Sequence, residues 1–228
     1  MKVFLDCASL SDIARYNDDD SISGITTNPT LLKRAGVTDY ADFAKRALNL
    51  TEKPISFEVI SDDLSGMASQ AKTIASWSPH AWVKIPVTNT RGYNTDSLVE
   101  GLLREGIHVN VTAVFTSAQL HKFGSAMMGP TPSIISIFAG RVSDTGVNPV
   151  PLFEEAATLF DCSNTEVLWA SPRSVFDYYT AERAGADIIT MTPDLIAKLQ
   201  LRDYDLNAYS RDTVNQFFCD AVAAGLTL

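Results

Sequence analysis

Ala81-Trp82-Val83-Lys84-Ile85-Pro86-Val87 is the stretch on which the fold turns. It is a short apolar, β-branched run, and it reads as a strand. Similar runs lie at Val3–Cys7, Ser23–Thr27 and Ile55–Ile60 before it, and at His108–Phe115, Ser133–Phe138, Glu166–Ala170 and Asp187–Met191 after it. Stretches of helical period separate them, among them Asp39–Leu50, Leu64–Trp77, Leu98–Glu105, Leu152–Phe160 and Val175–Ala184. Strand then helix, repeated about eight times at roughly 27-residue spacing, is the pattern of parallel βαβ units. Eight units suit an α/β fold of the (β/α)8 TIM-barrel type. An open doubly wound sheet would bring a glycine-rich phosphate loop, and neither GxGxxG nor GxxxxGK[ST] occurs.

The 228 residues are expected to form a single domain, with the barrel over about 1–205. The eighth unit closes with a helix at Pro193–Leu201, yet roughly 20 residues remain. Among them Val214, Phe217, Phe218, Ala221 and Val222 recur at helical spacing, an apolar stripe on a helix over about 208–225. Such a helix either caps the barrel or meets another subunit.

Hydrophobic residues make up 46% and charged residues 20%, which excludes a disordered chain. The 18 Lys and Arg against 27 Asp and Glu leave a net charge of −9. That balance argues against a nucleic-acid partner, which needs clustered cations, but not against an anionic small molecule. The Asp18-Asp19-Asp20 triplet is expected to end the first helix in solvent rather than to bind a metal. Cys7, Cys162 and Cys219 are odd in number and form no CxxC pair, so a reducing cytoplasm is the expectation. No basic-then-apolar leader opens the chain, and no apolar run approaches the roughly 18 residues of a membrane span.

Lys84 is the only one of eight lysines that sits mid-strand with apolar neighbours. Burying an unpartnered ammonium is costly, and desolvation favours the neutral amine, the form that attacks a ketone to give a Schiff base. The alternative is a lysine paired with an interior carboxylate for structure. If Lys84 faces the barrel interior, strand periodicity brings other polar residues to the same end. These are Asp6, Asn28, Glu58, Asn110, Thr112, Ser136, Ser171 and Arg173, at or near the C-terminal ends of their strands, where barrel sites lie. Single alternatives stand beside this: Asp6 as a cap for a helix starting near Ser9, Arg141 as a loop arginine paired with Asp144, and Asn28-Pro29 as a helix entry. His80, His108 and His121 lack ligand spacing, so no zinc is expected.

Phe4-Leu5-Asp6, Gly24-Ile25-Thr26-Thr27-Asn28-Pro29-Thr30, Phe57-Glu58-Val59 and Val83-Lys84-Ile85-Pro86 come first in a longer series. Asn110-Val111-Thr112-Ala113-Val114-Phe115, Ser136-Ile137-Phe138-Ala139-Gly140-Arg141, Ala170-Ser171-Pro172-Arg173 and Gly185-Ala186-Asp187 follow. In this order the sequence resembles the transaldolase family in its short, single-barrel form. The resemblance implies a class I aldol transfer of a dihydroxyacetone unit between sugar phosphates in the pentose phosphate pathway, with no metal or organic cofactor. It implies Lys84 as the Schiff-base nucleophile and Asp6 as the base for the C4 hydroxyl. Glu58 would shuttle protons through a water held by Thr112. Asn28, Asn110, Ser136, Phe138 and Ser171 would contact substrate, and Arg141 with Arg173 would grip its phosphate. It also implies a homo-oligomer built on pentamers, a decamer, with the C-terminal helix reaching a neighbour.

The related fructose 6-phosphate aldolase carries a glutamine at the position of Glu58 and a tyrosine at that of Phe138, so both residues here favour transfer over release. A non-catalytic sugar-phosphate-binding barrel is the remaining alternative, against which the costly Lys84 counts.

Overall fold

The computed structural model describes residues 1–227. The strands are β1 (Lys2–Asp6), β2 (Ile22–Thr26), β3 (Ile55–Glu58), β4 (Ala81–Pro86), β5 (Val109–Val114), β6 (Ser133–Ile137), β7 (Thr165–Trp169) and β8 (Ile188–Met191). The helices are α1 (Leu10–Arg15), α2 (Pro29–Arg34), α3 (Tyr40–Leu48), α4 (Leu64–Ala75), α5 (Asp96–Arg104), α6 (Ser117–Gly124), α7 (Ala139–Asp144), α8 (Val150–Phe160), α9 (Phe176–Arg183), α10 (Pro193–Lys198) and α11 (Leu206–Ala223). All eight strands pair in parallel with their sequence neighbours, and β1 pairs with β8 to close the barrel. The fold expected from the strand–helix rhythm is therefore the fold observed.

Local chemistry sets the helix starts after the strands. Ser9, Asp39, Asp63 and Thr116 each accept from a backbone N–H of the first turn, and Thr116 with Gln119 forms a full capping box. The acidic triplet does not end the first helix: α1 closes at Arg15, and the triplet falls in the link to β2, where the Asp19 carboxylate accepts from both the Ser21 amide and hydroxyl.

Strand alternation sorts the core. Leu5, Ile25, Phe57, Val83, Ile85, Val111, Ile135 and Ile189 are buried beneath the helices. The opposite parity fills the barrel interior in two levels. Phe4, Ile134, Leu168 and Ile188 pack with Trp82 into an apolar lower level. Two residues further along the same strands stand Asp6, Lys84, Ser136, Ala170 and Thr190, a level that is mostly polar. Gly24 makes room for the lower level, since a Cβ there would lie 2.5 Å from the Phe4 ring.

Two distortions occur at the polar end. The β5–β6 register shifts between Val111 and Val114, and Ala113 takes a left-handed φ of 61° inside that bulge. Ser171, just after β7, has φ 63°.

The chain divides into two compact units, Met1–Ile196 and Ala197–Leu228. The first holds all eight strands; the second holds α11. On α11, Val214, Phe217, Phe218 and Val222 are each about two-thirds exposed, and Ala221 is half-buried. Among the described residues no helix is long and apolar enough to cross a membrane.

Candidate active site

A cavity of about 490 Å³ opens at the C-terminal ends of the strands. Asp6, Asn28, Glu58, Lys84, Thr112, Ser136, Phe138, Arg141, Ser171 and Arg173 all border it, from seven of the eight strands or the loops that follow them.

Lys84 lies at its floor, 4% exposed. Its ammonium donates to the Thr27 carbonyl at 3.0 Å and stands 3.6 Å from the Glu58 carboxylate. Lys84 thus stands beside an interior carboxylate, as the structural alternative expects, and does so at a cavity rather than in a closed core. Burial pushes the Glu58 carboxyl above its ordinary range, while Lys84 and Arg141 pull against that rise. The end of β3 is fixed by Tyr40, whose hydroxyl donates to the Glu58 carbonyl at 2.9 Å. Asp6 is also held above the ordinary carboxylate range by burial, against the opposing pull of Lys84 and a hydrogen bond from Thr26. Two carboxyls of raised proton affinity beside one amine form a set with the chemistry to exchange protons with a bound molecule.

Asp6 does not cap α1: Ser9 performs that role, and Asp6 instead accepts from Thr26 at 2.8 Å. Asn28 does cap α2, accepting from the Leu31 amide with Pro29 in the first turn, and it still borders the cavity. Thr112 Oγ1 is buried with no protein partner among the described residues, at the cavity wall. Asn110 is fully buried and does not border the cavity. It donates to Ser56 Oγ at 3.1 Å and accepts from Ser136 Oγ at 2.7 Å, so it orients Ser136, which does border the cavity.

The arginines differ. Arg141 spreads over the Phe138 ring, 5.3 Å from its centroid, rather than pairing with Asp144. That carboxylate is taken by Arg173 through two guanidinium nitrogens. The start of α7, which carries Arg141, meets the segment after β7, which carries Arg173, at Gly140, whose amide donates to the Ala170 carbonyl at 3.4 Å.

Thr26, Arg34, Thr190 and Thr192 also border the cavity and fall outside the residues read from sequence. Parity could have found three of them: Thr26 precedes Asn28 by two, and Thr190 precedes Thr192 by two. Arg34 lies one helical turn beyond Thr30, on the same face of α2.

The Transaldolase/Fructose-6-phosphate aldolase family model matches residues 3–226. The chain belongs to this family. A "Probable transaldolase" of Streptococcus agalactiae is 33% identical over 217 residues, covering 93% of this chain and 97% of its own. One of Carboxydothermus hydrogenoformans is 36% identical over 193 residues, covering 84% and 86%. Among solved structures, a mandelate oxidase variant gives a TM-score of 0.58 at 14% identity, over 84% of this chain and 61% of that one. Inosine 5′-monophosphate dehydrogenase from Legionella pneumophila gives 0.56 at 12%, over 86% and 58%. Such remote likenesses speak for the barrel alone.

Proposed function

We propose that the protein is a transaldolase that moves a dihydroxyacetone unit from a ketose phosphate, fructose 6-phosphate or sedoheptulose 7-phosphate, to an aldose phosphate, erythrose 4-phosphate or glyceraldehyde 3-phosphate. The observation that carries this reading is the buried Lys84 amine at the floor of the cavity, 3.6 Å from Glu58, with Asp6 in the same cavity. The Lys84 nitrogen adds to the C2 carbonyl, and loss of water gives a protonated imine. Asp6 takes the C4 hydroxyl proton, the C3–C4 electron pair flows into the imine, and the aldose phosphate leaves. The enamine on Lys84 then attacks the second aldehyde, and water releases the new ketose phosphate. Because the iminium is the electron sink, these steps need no metal or organic cofactor.

Glu58 passes protons as the imine forms and breaks, through a water for which the unpartnered Thr112 hydroxyl is a suitable anchor. Asn28 and Ser136 hydrogen-bond the dihydroxyacetone hydroxyls, while Arg141 and Arg173 hold the phosphate, a pairing favoured by charge-assisted hydrogen bonds. The compartment is the cytoplasm and the pathway the pentose phosphate pathway. The exposed apolar side of α11 supports self-assembly, as a pentamer-based oligomer and a decamer at full size.

Borohydride reduction with fructose 6-phosphate tests the Schiff base. A three-carbon adduct on Lys84, lost in Lys84→Ala together with turnover, is expected; full turnover of Lys84→Ala would overturn it. That result also separates an enzyme from a sugar-phosphate-binding barrel. Adding erythrose 4-phosphate separates transfer from release. Rapid sedoheptulose 7-phosphate formation is expected, and equal dihydroxyacetone release with and without acceptor identifies an aldolase instead.

A further inference from the structure

Thr26 and Thr190 are buried, 2% and 4% exposed, yet both reach the cavity beside Asp6. They come from the strands on either side of β1, where Asp6 registers with Thr26 and Phe4 with Thr190. The Thr26 hydroxyl donates to Asp6 Oδ1 at 2.8 Å, and its oxygen lies 2.5 Å from that of Thr190. A hydroxyl has one proton to give. Since that of Thr26 goes to the carboxylate, the proton in the threonine–threonine contact belongs to Thr190. The chain thus has one direction, Thr190 to Thr26 to Asp6. Both side chains are β-branched and stiff at χ1, so the strands themselves aim the hydroxyls.

We propose that Thr26 and Thr190 are positioning residues for the reaction, a two-hydroxyl relay that occupies Asp6 Oδ1 and leaves Oδ2 to take the proton of the substrate's C4 hydroxyl. This rests on the reading of Asp6 as the base for that proton. The hydrogen bond favours the ionised carboxylate, which burial disfavours, and donation from Thr190 polarises the Thr26 hydroxyl further. Other groups act on Asp6 too. Lys84 from β4 also favours the anion. The thiol of neighbouring Cys7 is pushed up to about 12, chiefly by burial, and stays neutral over the working range.

The test is the pH dependence of kcat for fructose 6-phosphate cleavage in Thr26→Val, Thr26→Ser and Thr190→Val, with borohydride trapping alongside. Imine formation precedes the step that uses Asp6, so Thr26→Val is expected to form the Lys84 adduct while kcat falls roughly 10- to 100-fold. Its acid limb moves to higher pH, because the carboxylate loses a donor. Thr26→Ser restores most of kcat and the limb. Thr190→Val shows a smaller shift in the same direction, and adding it to Thr26→Val costs nothing more, as the relay is already broken.

An acid limb unmoved in Thr26→Val, or a Thr26→Ser variant no better than Thr26→Val, overturns the relay. If Thr26→Val does not fold, Thr190→Val decides alone: an unshifted limb overturns the proposal. Wild-type turnover and adduct report on the Schiff-base reading separately. With both present, a failed shift sinks only the relay; with both absent, the two readings fall together.

Discussion

Gly140→Ala tests how the two segments that carry Arg141 and Arg173 are held. Gly140 lies in α7, so alanine suits its backbone and by helix propensity alone would add about 1 kcal/mol of stability. The neighbour reverses that sign. A Cβ at this position would lie 1.7 Å from the carbonyl oxygen of Ser171, where real Cβ contacts stay beyond 3.0 Å. The obstacle is backbone, not the end of a flexible side chain, so the segments after β6 and β7 must part by more than an ångström. Ser171, already left-handed, has little freedom to turn its carbonyl away. Overpacking of this kind costs about 1–3 kcal/mol, which exceeds the propensity gain.

Under the proposed function the catalytic consequence falls on Arg141, in α7, and Arg173, in the loop after β7. A misplacement of about 1 Å can cost about a hundredfold, so kcat/KM for fructose 6-phosphate should fall by that order. Cleavage of unphosphorylated fructose, which has nothing for the arginines to grip, should change only a few-fold. Steady-state kinetics on both ketoses with a thermal melt make the assay. A variant that melts higher than wild type and keeps kcat/KM for the phosphorylated ketose refutes the reasoning.

Asp6 and Glu58, raised by burial, bind their protons more tightly in the folded chain than at the ordinary values of 3.8 and 4.5. Their contribution to stability is full below those values and is lost as pH rises through the folded ones. Melts of Asp6→Asn should therefore gain on wild type as pH rises from about 4, and a wild-type advantage that grows with pH contradicts this. Under the proposed mechanism Phe138→Tyr adds a phenol to the cavity that Lys84 borders, so the ratio of dihydroxyacetone release to transfer, followed by product analysis, should rise; an unchanged ratio removes that role of Phe138. Ala113→Gly relieves a left-handed alanine and should raise stability by about 0.5–1 kcal/mol in a denaturant melt, whereas a loss would mean the bulge is not strained. Gel filtration should place the protein well above the 24.8 kDa of one chain, and Phe217→Ser with Phe218→Ser should bring it down; a wild-type monomer would end the assembly proposal.

The barrel was legible because its signals are periodic: eight apolar runs spaced by helical stretches leave few other folds. Lys84 was legible for the opposite reason, as a charge where periodicity expects an aliphatic side chain. Thr26 and Thr190 escaped notice because threonine is an ordinary strand residue, and only three-dimensional register joins them to Asp6. Asn110 was read correctly as inward-facing, but depth is not written in alternation: it lies under Ser136 rather than at the cavity wall. The partner of Asp144 was open for a similar reason. Arg141 is three residues away in sequence and Arg173 twenty-nine, yet it is the distant one that pairs, because segments that follow adjacent strands meet at the barrel mouth.

The apolar level of Phe4, Trp82, Ile134, Leu168 and Ile188 makes the barrel a vessel with a stopper at one end. Nothing the size of a sugar passes through that floor, so the cavity at the strands' C-terminal ends serves as both entrance and exit. For a two-substrate transfer run in such a vessel, traffic is one at a time. The first aldose must vacate the mouth before the second can approach the enamine, and the order of events follows from the architecture before any rate constant is considered.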